Sequence, residues 1–194
     1  MAWHLPFEKK NGQYTIKFFN KIGDDKEEDG FAVFSSLVDT CKLVKKEFPE
    51  LSGCYILTDG AGCYSGSYIA ISLGVLGQLT GINVLAHFIA ESGRGKSVLD
   101  GNFGVAMKHV KKVLNSNLKD IAFAENLKDA LGIRGGVKAN CTKEIILDRA
   151  HQVEVKKNAL SGLKKFISVS TYTTGISSLL SYECTKIHSA PGLV

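Results

Sequence analysis

Cys54-Tyr55-Ile56-Leu57-Thr58 is a short, almost wholly apolar run that stops at Asp59 and passes into the turn-forming Gly60-Ala61-Gly62. Such a run has the form of a strand buried on both faces of a sheet. Downstream, Ser67 to Leu79 places Tyr68, Ile71, Val75 and Leu79 at helical spacing, and Gly81 closes that helix. Ile82 to Ile89 is a second apolar run of strand length. Strand, helix and strand in this order predict parallel strands joined by a right-handed crossover.

The pattern extends both ways from this unit. Upstream, Gln13 to Phe19 carries β-branched and aromatic residues after Asn11-Gly12, so Trp3 to Phe7 reads as the partner strand of a hairpin. The acidic stretch Asp24 to Gly30 leads into a helix with Phe31, Phe34, Val38, Cys41 and Phe48 on its apolar side, ending before Pro49. Downstream, the polar loop Glu91 to Ser97 precedes a helix over Val98 to Leu114, with Leu99, Phe103, Met107, Val110 and Leu114 facing inward. A helix around Phe123 to Leu131 is broken by Gly132-Ile133-Arg134-Gly135-Gly136. Glu144 to Val155 reads as helical, Phe166 to Tyr172 as a strand, and the tail through Pro191-Gly192 as loose.

With 194 residues and 44% apolar content, the chain can bury one substantial core. The expected organisation is an α/β core over residues 1–118 with a helical and strand extension over 119–194. No apolar run reaches the roughly 20 residues of a membrane-spanning helix, and Met1 to Pro6 lacks the basic-then-apolar pattern of a secretory leader. Five scattered cysteines without a Cys-x-x-Cys pair fit a reducing, intracellular compartment. The formal charge of +5 rests almost wholly on lysine, which permits phosphate binding without establishing it.

Ligands of open α/β sheets gather beyond the carboxyl ends of the strands. Asp59 ends one strand, Glu91 follows the next, and Asp100 lies in the first turn of the helix after it. A parallel pair would bring these acids to one edge. Clustered carboxylates repel, and Mg²⁺ or Mn²⁺ supplies the counter-charge through oxygen ligands. Two such ions can activate a water and stabilise the leaving oxygen in phosphodiester cleavage. Aspartate is also common in turns and at helix N-termini, so structural roles for Asp59 and Asp100 stay open.

Thr58-Asp59-Gly60-Ala61-Gly62-Cys63-Tyr64 resembles the Asp-Asn-Ala-Gly-Cys-Tyr motif of a family of transposase-derived proteins of animal genomes. Glu91 through Asp100 is similar to that family's second signature, an acid followed by Gly-Gly-Lys-Gly-x-x-Asp at the start of a helix, and Trp3-His4 resembles its Trp-His on the second strand. The ordered set covers about residues 1 to 145. The resemblance implies a DDE-type, RNase H-like three-layer sheet with helices on both faces and its first strand missing. Asp59 would be the second catalytic acid and Asp100 the third, with Glu91 as a further metal ligand and Mg²⁺ or Mn²⁺ as cofactor. The first acid would lie upstream of Met1, supplied by a longer parent chain or a second subunit, so these residues alone would be inactive. Gly60 stands where the family has Asn, and Ser97 where it has Gly. DNA is the implied partner and the nucleus the implied location. Arg94 and Lys96 would contact phosphate.

Lys108, Lys111 and Lys112 on the third helix, with Lys156, Lys157, Lys164 and Lys165 later, could track a phosphate backbone or simply be solvated. Two rivals remain. Ala90 to Ser97 satisfies a permissive phosphate-binding loop, with Ile145-Ile146-Leu147-Asp148 as the strand carrying a magnesium-binding acid, although such a fold normally opens with that loop. The other is a non-catalytic nucleic-acid-binding or protein-binding domain. His87 reads as a core residue, and His4, His109, His151 and His188 share no metal-ligand spacing.

Overall fold

The computed structural model describes residues 1–8, 14–90, 98–152, 168–172 and 175–180. The chain is a mixed α/β protein, and its contacts divide it into two compact units, Met1–Glu27 with Lys96–His151 and Glu28–Gly95 with Gln152–Val194. Among the described residues no helix is long and apolar enough to cross a membrane.

In the first unit, β1 (Ala2–Glu8) and β2 (Tyr14–Ile22) form the antiparallel hairpin that the alternating aromatic and β-branched residues predict. β2 also pairs in parallel with β5 (Asn140–Glu144). Helices α5 (Val98–Asn115) and α6 (Ala124–Gly132) pack on this sheet and on each other. Phe19, only 1% exposed, anchors the core with Ala106, Val110, Val113, Ala124 and Ala130. The acidic stretch after β2 is structural. Asp24 Oδ1 accepts the Ala124 N–H at 2.9 Å, capping α6 from a distant part of the chain. Arg149 grips Asp25 through Nε at 2.6 Å and reaches Glu27 through Nη1 at 3.2 Å. The Arg149 hydrogen bond holds the Asp25 carboxyl below its usual range.

The second unit holds α1 (Gly30–Glu47), β3 (Gly53–Thr58), α2 (Gly62–Ser65), α3 (Ser67–Leu73), α4 (Leu76–Thr80) and β4 (Asn83–Ile89). β6 (Ser168–Tyr172) and β7 (Gly175–Leu180) complete a sheet of order β3-β4-β6-β7. β3 and β4 are parallel, and the other two pairings are antiparallel. Asp29 caps α1 by accepting the Ala32 N–H at 2.9 Å, and the helix ends two residues before Pro49. Helices α1, α3 and α4 pack together over the core formed by Val33, Leu37, Cys41, Ile69, Leu73 and Leu76.

Several expectations need correction. β3 is not buried on both faces, because Tyr55 and Leu57 are each 70% exposed while Ile56 and Thr58 point inward. A short apolar run does not reveal how many of its faces are covered. Ser67 to Leu79 is not one helix, since the chain breaks at Gly74 and Val75 before α4, whose end Gly81 caps at φ 74°. The inward stripes of α1 and α5 are rotated from those expected. In α1 it runs Val33, Leu37, Cys41, Val44, and in α5 it runs Ala106, Val110, Val113, leaving Phe103, Met107 and Leu114 exposed. Residues 144–152 form no helix beyond a single 3₁₀ turn at Arg149–His151, and 140–144 are a strand instead. β7 occupies part of the tail expected to be loose.

Leu76 is fully buried, so Leu76→Ala should cost about 2–5 kcal/mol in urea unfolding. Leu57→Ala should stay within about 0.5 kcal/mol. A comparable loss at Leu57 would show that the outer face of β3 is covered in solution.

Candidate functional site

The parallel register of β3 and β4 fixes one edge of their sheet. Leu57 pairs with Phe88 and Thr58 with Ile89, and the Ala90 N–H donates to Thr58 O at 2.8 Å. Both strands therefore end side by side, with Asp59 just past the end of β3. Its Oδ1 accepts the Ala61 N–H at 2.9 Å, forming the Asx turn that leads into α2. Among the described residues this is the one hydrogen bond of the exposed Asp59 carboxylate, so Oδ2 keeps its full acceptor capacity.

Behind Asp59 the inner face of the strand pair is buried. Thr58 Oγ1 lies 2.8 Å from His87 Nε2, and both side chains are buried. Burial pushes the His87 imidazole down to about 4, so at neutral pH the ring is uncharged, and its tautomer sets which of the two groups donates. Helix α2 places Cys63 and Tyr64 near Asp59. Burial first, then the fields of Asp59 and Glu28, raise the Cys63 thiol and push the Tyr64 phenol up to about 12. Both are protonated at neutral pH, which argues against a thiolate nucleophile here. Cys41 and Cys54 are pushed up to about 12 and about 11, chiefly by burial, and are equally inert.

The other expected site residues divide between the two units. Asp100 is exposed in the first turn of α5, where its charge favours the helix dipole, and it belongs to the unit that does not contain Asp59. Lys108, Lys111 and Lys112 are exposed on the same helix, at spacings of three and four that put them on one face. Glu91, Arg94 and Lys96 lie outside the described residues, as do Lys156, Lys157, Lys164 and Lys165. The strand required by the nucleotide-loop alternative does not form. Residues 145–148 carry no regular structure, and Asp148 instead accepts the Ala150 N–H at 3.0 Å. Trp3 and His4 lie on β1, where the His4 ring sits 6.4 Å from that of Phe18.

Two features had no sequence signal. Glu28 acts electrostatically on the same Cys63 and Tyr64 as Asp59 does, although it lies far from them in the chain. In the first unit, Asn20, Asn102, Asn140 and Thr142 form a side-chain network linking β2, α5 and β5. Isolated amides carry no periodicity, so nothing marked them beforehand. Among the described residues no group of three or more His, Cys, Asp or Glu side chains is placed to hold a metal ion. Comparison with family models, curated proteins and solved structures finds no match to this chain.

The buried histidine sets a pH dependence. An unfolded His87 takes up a proton as pH falls below about 6.5, whereas the folded ring resists until about 4. Its contribution to stability is complete above pH 6.5 and is lost between 6.5 and 4, up to roughly 3 kcal/mol at 1.36 kcal/mol per pH unit. Urea unfolding at pH 7.5, 5.5 and 4 should show this decline. His87→Gln, which can donate to or accept from Thr58 and does not titrate, should flatten it.

Proposed function

We propose that this chain is a transposase-derived, RNase H-like domain related to divalent-metal-dependent phosphodiester cleavage and strand transfer on DNA. The observation that carries the reading is Asp59, an exposed carboxylate that among the described residues accepts one hydrogen bond through Oδ1 alone, at the carboxyl end of β3 beside the parallel strand β4. That edge is where sheets of this kind gather ligands. The ordered motifs around Trp3-His4, Asp59 and Glu91 to Asp100 support the same reading.

The sheet edges also favour it. Among the described residues β1 is paired with β2 alone and β3 with β4 alone, so each sheet ends in a strand with an open edge. Such edges accept a further strand. In this reading the missing first strand brings the first acid, from a longer parent chain or from a second copy. Asp59, with Glu91 and that acid, then holds Mg²⁺ or Mn²⁺. The exposed outer face of β3 takes a further layer, giving helices on both faces. Residues 1–194 alone bind DNA without cutting it, through Arg94, Lys96, Lys108, Lys111 and Lys112. An intracellular, nuclear location follows from that substrate.

Incubated with supercoiled DNA and Mn²⁺, the 194-residue chain should leave the plasmid intact. A form extended at its N-terminus should nick it, and Asp59→Ala in the extended form should return nicking to background. Nicking that survives Asp59→Ala would overturn the assignment of this edge.

DNA binding by the 194-residue chain should weaken with salt. Replacing Lys108, Lys111 and Lys112 by Ala should lower the slope of log affinity against log salt by about 1 per lysine, measured by fluorescence anisotropy. An unchanged slope would mean that this face of α5 is merely solvated.

A further inference from the structure

The first unit has an open cleft of about 200 Å³ between the β2–β5 strand pair and the end of α6, lined by Asn20, Lys128, Leu131, Val137, Asn140 and Thr142 together with Gly132, Gly135 and Gly136. At roughly 30 Å³ per water it has the volume of about seven waters, room for one six-membered heterocycle. Its wall is held by backbone geometry. Arg134, Gly135 and Gly136 all have positive φ, and a Cβ on Gly136 would come within 2.7 Å of Leu131 O, so only glycine fits there.

The polar groups of the cavity are oriented by a saturated neighbour. Asn140 Oδ1 accepts from Asn20 Nδ2 at 2.6 Å and Asn102 Nδ2 at 2.9 Å, and its Nδ2 donates to Asn102 Oδ1 at 2.9 Å and Lys138 O at 3.0 Å. That uses the whole hydrogen-bonding capacity of the carboxamide. Reversing the Asn20 amide would set two carbonyl oxygens against each other, so its orientation is fixed. Asn20 Nδ2 also donates to Thr142 Oγ1 at 3.3 Å. Two groups are left over among the described residues, Asn20 Oδ1 as an acceptor and the Thr142 O–H as a donor, on neighbouring residues of the cavity lining.

The local charge is balanced. Lys128 Nζ lies 3.7 Å from Glu144 Oε2, and the carbonyl end of α6 adds partial negative charge. The lining cation Lys128 is thus offset, and an oriented acceptor near a hydroxyl donor suits a neutral N–H beside a C=O. We propose that this cavity binds the lactam edge of a nucleobase. Its ring N–H donates to Asn20 Oδ1, its C=O accepts from the Thr142 hydroxyl, and Leu131 and Val137 provide apolar lining for the ring. The site shares no residue with the Asp59 edge and does not rest on the cleavage reading, so Mn²⁺-dependent nicking is indifferent to its failure.

Uridine titrated into the ¹⁵N-labelled full chain should give saturable shifts at the amide signals of Asn20, Gly132, Gly135 and Gly136. Methylating the ring nitrogen removes the donor, and Thr142→Val removes the protein's donor without changing side-chain shape. Each should weaken binding about tenfold, the worth of one buried hydrogen bond. Uridine shifts that do not saturate, that map elsewhere, or that are equal for 3-methyluridine or for Thr142→Val would overturn the proposal. Acetamide binding as tightly as uridine would also overturn it, by showing that the cavity reads a bare carboxamide and not a base.

Discussion

The parallel pairing of β3 with β4 is the constraint on which the candidate edge depends. Parallel neighbours cannot be joined by a tight turn, so the chain must leave the end of β3, cross over and return. The crossover is made by α2, α3 and α4, whose inward residues Ile69, Ala70, Leu73 and Leu76 join the α1 stripe as the core of that unit. Because both strands run the same way, they also end the same way. Thr58 and Ile89 are register partners, and whatever follows either strand emerges at one edge. The buried Thr58–His87 hydrogen bond ties the two strands together one residue before that edge. It does so with a neutral ring, since burial makes the charged imidazolium costly.

The parts of this arrangement legible in the sequence are those written in local pattern. The hairpin is marked by alternating aromatic and β-branched residues, the end of α1 by Pro49, and the end of α4 by Gly81. Helix phase was not legible. In α1 and α5 more than one apolar stripe can be drawn, and the neighbours that each helix meets choose between them. Small residues won in α5, where Ala106 and Val113 face inward while Phe103 is 64% exposed. β5 was invisible because Asn-Cys-Thr-Lys-Glu is polar and shows no alternation in burial. It is a strand because β2 offers it a partner.

Of the candidate site, the position of Asp59 could be read directly, since an apolar run that stops at an acid before glycines describes a strand end whatever the fold. The surroundings of that residue could not. Cys63 and Tyr64 reach it through the local turn into α2, but Glu28 is brought to that group by tertiary packing, and the Asn140 network reaches across the chain, with Asn20 and Asn140 separated by 120. Contacts of that kind leave no trace in periodicity.

The acids of this chain sort by what their oxygens bind and where they stand, and that separates Asp59 from the acidic stretch after β2. Asp24 is committed to the N-terminus of α6, Asp25 to Arg149, and Asp29 to the N-terminus of α1. In each case the carboxylate satisfies a donor that would otherwise go unmet or a cation that would otherwise be unpaired, and removing the acid would harm the fold. Asp59 spends one oxygen on its own turn and leaves the other open at the end of a strand. Asp24 likewise bonds through one oxygen, so what sets Asp59 apart is its place: an exposed carboxylate just past the carboxyl end of a parallel strand, the edge where open α/β sheets gather ligands.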